Sequence, residues 1–244
     1  MMQEHLRFAR RIVVMMVVGL GLMMVGTRLV AQADDDARAK VIPRDANAYG
    51  NSYGEWSARW WQWAFSIPRA TNPGLDETGA HCAEGQSGPV WFLAGSYFGG
   101  TFHRACTVPA EKALFFPIVN AVFGAGVFDC EPTVPGVACN LATLRMAAAA
   151  SMDPVTLEAS LDGKPLHDLQ DQRVQSLAFT LTYPVDNVPN VSPGTYAPQV
   201  ADGYWLMLAP LSAGAHTIHF KNIITGGPFE GFETEVTYHL IVGQ

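Results

Sequence analysis

Positive charge is what this sequence has least of. Its 244 residues include 15 Lys and Arg against 22 Asp and Glu, and charged residues make up only 15% of the chain. Four of the basic residues (Arg7, Arg10, Arg11, Arg28) precede position 34, beside one acid, Glu4. From position 34 onward 11 basic residues face 21 acidic ones, a balance of −10. A surface of that sign repels phosphate, which argues against nucleic acid and anionic membrane surfaces as partners. Catalytic signatures are missing too. There is no Gly-x-Ser-x-Gly elbow, no His-Glu-x-x-His, no phosphate-binding glycine loop and no dinucleotide fingerprint. Gly85-Gln86-Ser87-Gly88 lacks the strand-to-helix setting that an elbow requires. No internal repeat is present, and neither a cofactor nor a metal is expected.

A long apolar run is also lacking. Ile12 to Val25 is apolar for 14 residues, short of the ~20 that span a bilayer. With Arg7, Arg10 and Arg11 before it and Ala31-Gln32-Ala33 after it, the order is that of an export signal. Cleavage after Ala33 would leave residues 34–244 as a single secreted or periplasmic domain, with no stable membrane insertion. That length is enough for a sizeable core.

Cysteines are few, but all four (Cys82, Cys106, Cys130, Cys139) follow the signal. An even number in an exported chain favours disulfides. Cys82–Cys106 and Cys130–Cys139 each close a short loop and are the expected pairs. A zinc site from His81, Cys82, His103 and Cys106 is the competing idea, but the spacing matches no standard module.

What the chain does have is tryptophan at helical spacing. Ser52 and Glu55 form a capping box, and Pro68 ends the helix at Ile67. Between them Trp56, Trp60, Trp63 and Ile67 share one face, and Trp61 with Phe65 covers a second. Glu55, Arg59, Gln62 and Ser66 form a narrow polar stripe. A helix this apolar must be buried on most sides.

The remainder reads as its wrapping. Residues 69–89 form a long loop with turn signals, expected to be pinned by Cys82. Val90–Ala94, Thr101–Val108 and Ala113–Val119 read as an antiparallel meander. Asn140 caps a second short helix over Leu141–Met152. Val155–Leu161 alternates into the hairpin turn Asp162-Gly163. Ser176–Tyr183, Tyr204–Ala209, His216–Ile224 and Glu233–Val242 are further strands, with a long loop over Pro184–Gly203. The expected fold is mainly β (α+β): an antiparallel β-sandwich or jelly-roll-like core around a buried Trp-rich helix.

Tyr53-Gly54-Glu55-Trp56, Trp60-Trp61-Gln62-Trp63 and Gly88-Pro89-Val90-Trp91-Phe92-Leu93 resemble a family of uncharacterised secreted bacterial proteins. Cys106-Thr107-Val108-Pro109, Phe115-Phe116-Pro117-Ile118, Pro210-Leu211 and Gly214-Ala215-His216-Thr217-Ile218 fit it as well. The resemblance implies bacterial export and carries no activity. Glu111 departs from it, standing where a glycine is expected.

The best candidate site is the polar stripe: Glu55, Arg59 and Gln62 as the floor of a pocket, Trp61 and Phe65 as its walls, and Asp76 from the following loop. Alternatively Glu55 is a cap with Arg59 as its partner. His219 and His239 could meet near Glu235, or be simply solvated, while His216 reads as a hydrogen-bonded core residue. Three functions remain open. The first is a non-enzymatic binding or surface-interaction domain for a small molecule or glycan. The second is a hydrolase acting on a carbohydrate or ester, using Glu55 with a loop carboxylate or histidine. The third is a structural envelope protein. Oligomeric state is not legible.

Overall fold

The computed structural model describes residues 40–125 and 140–243. The export segment and the Cys130–Cys139 pairing lie outside the described residues. No helix among them is long and apolar enough to cross a membrane.

The tryptophan helix, α1 (Tyr53–Ser66), begins at the capping box. Glu55 N donates to Ser52 Oγ at 3.3 Å, and Ser52 N donates to Glu55 Oε2 at 2.7 Å. The helix stops where Ile67 turns extended before Pro68. Tyr53, Trp56, Trp60, Trp61, Trp63 and Phe65 are all buried.

Among the described residues ten strands form two sheets. The first contains β1 (Val90–Phe92), β3 (Ala113–Gly124), β6 (Arg173–Gln175), β7 (Phe179–Tyr183) and β8 (Gly194–Leu208). Its order is β1-β3-β8-β6, with β7 also paired to β8. The second contains β2 (Gly100–Val108), β4 (Val155–Leu161), β5 (Lys164–Pro165), β9 (Gly214–Ile224) and β10 (Glu233–Val242), in the order β2-β10-β9-β4-β5. The short helix α2 (Leu141–Ala150) starts at Asn140, whose Oδ1 accepts from Thr143 N at 3.0 Å. It packs Leu144 and Ala148 on Val200.

The result is mainly β, sandwich-like, with α1 as an outer third layer. In β3 Ala113 and Phe115 join the cluster around the tryptophans, and in β8 Ala201, Trp205 and Met207 do the same. Side chains alternate across a strand, so Phe116 points to the other face and meets Phe220 of the second sheet at 5.2 Å between centroids. Burial on both faces is why β3 reads as an unbroken apolar run.

Three sequence-based assignments need correction. The meander does not form: β1 runs parallel to β3, and β2 leaves for the second sheet, where it runs parallel to β10 over nine residues. The alternation in β2, with Arg104, Cys106 and Val108 buried and their neighbours exposed, suits a sheet with one solvated face. The loop expected over Pro184–Gly203 ends at Pro193, since β8 takes up Gly194–Gly203. Its Gly203 marks a close approach: a Cβ there would lie 2.5 Å from Val119 O and 2.7 Å from Asn120 Cβ. Finally, the strand expected over Ser176–Tyr183 starts only at Phe179, as β7; β6 precedes it, and Leu177 is exposed between the two.

Candidate ligand-binding cleft

One wall of the cleft begins on α1. Trp61 and Phe65, one turn apart, lie 4.9 Å apart between centroids with their rings tilted at 58°. Tyr97 and Phe98, between β1 and β2, extend that wall. Tyr97 lies 5.5 Å from Phe65 and 6.4 Å from Trp61. Its hydroxyl donates to Asn72 Oδ1 at 3.1 Å. Asn72 in turn donates Nδ2 to carbonyls at the C-terminal end of α1, Ala64 O at 2.7 Å and the capping Ile67 O at 3.1 Å. Gly74 is required beneath the ring, where a Cβ would come within 2.4 Å of it. Burial pushes the Tyr97 phenol pKa well up, so it stays neutral at ordinary pH.

The opposite walls come from Val119–Val122 of β3, Val188 and Pro189 after β7, and Ile224, Phe229 and Phe232 near the β9–β10 connection. Together they bound a cavity of about 370 Å³, and its lining is predominantly apolar. Phe98, 71% exposed, belongs to the same lining. No carboxylate, histidine, lysine or arginine among the described residues lines it.

The four indoles of α1 divide sharply. Trp56 Nε1 donates to Ala48 O at 2.8 Å, Trp60 Nε1 to Leu93 O at 3.0 Å, and Trp63 Nε1 to Glu84 O at 2.8 Å. Trp61 Nε1 is buried without a partner, and Trp61 is the one that lines the large cleft. Behind the cleft lies a second chamber of about 20 Å³, which shares Ser96, Tyr97, Val119, Asn120 and Phe232 with it.

The residues of the polar stripe lie elsewhere. Glu55 is exposed, and its carboxylate serves the cap; the Ser52 N–H and hydroxyl hold it below the usual carboxylate range. Arg59, also exposed, lies over the Trp56 ring at 5.4 Å. Gln62 donates to Thr180 O at 3.1 Å. Asp76 fastens its own loop, accepting from Thr78 N and His81 N, both at 2.8 Å. Burial alone would raise its pKa, but those hydrogen bonds outweigh it and hold it low. Of the candidate binding residues Trp61 lines the cleft, whereas Glu55, Arg59, Gln62 and Asp76 do not.

Cys82 and Cys106 are joined in a disulfide. Among the described residues no cluster of three or more His, Cys, Asp and Glu is placed to hold a metal. His219 Nε2 lies 3.1 Å from Glu235 Oε1, and His239 stacks on His103 at 6.4 Å. His216 is half-buried at the 162–163 hairpin rather than in the core, 2.8 Å from Asp162 Oδ2. The residues that sequence reasoning missed include Tyr97, Asn120, Val188 and Phe232. Each comes singly from a different segment and has no local pattern to mark it. The one available signal was Asn72-Pro73-Gly74, flagged only as a turn.

No family model and no curated protein matches this chain. Among solved structures, the crystal structure of the cysteine protease inhibitor EhICP2 from Entamoeba histolytica is similar at 11% identity and a TM-score of 0.22. That match covers 58% of this chain and 87% of the inhibitor.

Proposed function

We propose that this is an exported binding protein whose cleft takes a small, largely apolar molecule. The unpartnered Trp61 indole on the wall of a 370 Å³ apolar cavity carries this reading. A buried donor without a partner costs roughly 1–3 kcal/mol. A ligand covering Trp61, Phe65, Tyr97 and Phe232 removes that apolar surface from water and offsets the cost. Such a combination of apolar walls and a few convergent polar groups typifies small-molecule sites. The exported location rests on the 1–33 segment and on the family resemblance. Hydrolysis has less support, because Glu55 and Asp76 are committed to a helix cap and a turn.

Titration with the apolar dye N-phenyl-1-naphthylamine tests the proposal. Saturable fluorescence enhancement with about 1:1 stoichiometry is expected. Ala121→Phe places a ring in the cleft from a half-buried strand position that accepts aromatics. It should weaken dye binding at least tenfold with the fold intact by circular dichroism. Dye binding unchanged in Ala121→Phe would refute the assignment of the cleft.

A further inference from the structure

Three residues that line the small chamber behind the cleft each carry a buried polar atom without a partner: Asn120 Nδ2, Asn222 Oδ1 and Thr234 Oγ1. Asn222 is 1% exposed and Thr234 2%. The orientation of the Asn222 amide is fixed, because its Nδ2 donates to Ile118 O at 2.9 Å. Its Oδ1 is therefore the atom left needing a donor, while Asn120 Nδ2 needs an acceptor. The Thr234 hydroxyl serves as either. Native interiors leave few such groups unpaired, and three around one small space are unusual.

Size and chemistry narrow what fits. About 20 Å³ suits one oxygen-sized group, since a single water needs roughly 10–15 Å³ by this measure. The group must donate one hydrogen bond and accept another. A hydroxyl does both. A carboxylate cannot donate to Asn222, and among the described residues no cationic side chain lines either space. The Arg104 guanidinium donates to Ala94 O at 2.7 Å and Gly95 O at 2.9 Å without lining the chamber. An ether accepts but cannot donate.

We infer that the ligand is a neutral, hydroxyl-bearing apolar molecule, its hydrocarbon body in the cleft and its hydroxyl between Asn120, Asn222 and Thr234. This deepens the binding reading above and rests on it. Asn120 lines both spaces and joins them.

Displacement of bound N-phenyl-1-naphthylamine by three probes of equal chain length tests the inference: 1-octanol, octyl methyl ether and octanoate at pH 7. Octanol should displace the dye at concentrations at least fivefold lower than either competitor. Thr234→Val removes one polar atom with little change of shape. It should cut that preference at least threefold without lowering Tm, because the lost hydroxyl has no partner to forfeit. Equal displacement by all three probes would overturn the hydroxyl assignment and leave the cleft reading standing, whereas absence of dye binding would remove the cleft reading itself. Octanoate displacing best would also overturn it. A lowered Tm in Thr234→Val with preference intact would assign the chamber to a structural water, again overturning the proposal.

Discussion

At the scale of single residues, backbone conformation singles out Glu111. Glu111 sits in the turn between β2 and β3 with φ 64°, in the left-handed region. An L-residue pays roughly 1–2 kcal/mol there, whereas glycine pays almost nothing. Glycine returns part of that gain through a freer unfolded chain, about 0.4–1 kcal/mol. Glu111→Gly should therefore stabilise the protein by about 0.5 kcal/mol, measured by urea denaturation. Glu111→Ala should be neutral, separating backbone strain from loss of charge. If both variants stabilise equally, the charge was responsible and the conformational argument fails. The residue scale is also where the cleft became hardest to read from sequence. Trp61 and Phe65 were visible as a second helical face because their spacing is local. Tyr97 and Asn120 reach the same space through a loop and a strand, and spacing along the chain carries no trace of that meeting.

At the scale of elements, legibility follows whether an element is specified locally. The cap of α1, the cap of α2, the 162–163 hairpin and the alternation of β10 all rest on residues within a few positions of one another. Each stands where the sequence places it. β8 was only half legible. Pro198 and Gly203 are turn formers in isolation, yet strand neighbours on both sides override them. The α1 cap permits a direct test. Ser52→Ala removes the acceptor for Glu55 N and should cost about 1 kcal/mol, or ~2–4 °C in Tm. Glu55 adds a pH dependence. Its folded pKa is depressed, so its contribution is present above the unfolded carboxylate pKa and is lost as pH falls through the folded value. The Tm difference between the native chain and Glu55→Gln should hence be positive at pH 7 and shrink in acid. Dye binding should be unaffected in both variants, since neither residue lines the cleft.

At the scale of the whole molecule, the fold depends on contacts between segments far apart in sequence. Parallel pairing of β1 with β3 and of β2 with β10 requires partners chosen by the assembled sandwich, so composition and periodicity could signal strands and layers without signalling this topology. The loop from Pro68 to Pro89 shows how the layers are tied. It starts at the end of α1, and its Thr78 O accepts from Ala105 N of β2 at 2.8 Å. Asp76 O accepts from Arg104 Nε at 2.7 Å, supplying one partner to a guanidinium that is 1% exposed. The Cys82–Cys106 disulfide then closes this connection across 24 residues. Loop closure of that span contributes about 3 kcal/mol by limiting the unfolded chain. The double variant Cys82→Ala, Cys106→Ala should thus unfold at a Tm lower by roughly 6–12 °C. The hydrogen bonds from β2 still anchor the loop, so the variant should retain dye binding below its transition. Loss of binding at temperatures where circular dichroism still reports a folded chain would mean that the disulfide also positions Tyr97, on the same β1–β2 connection that leads into the bridged strand.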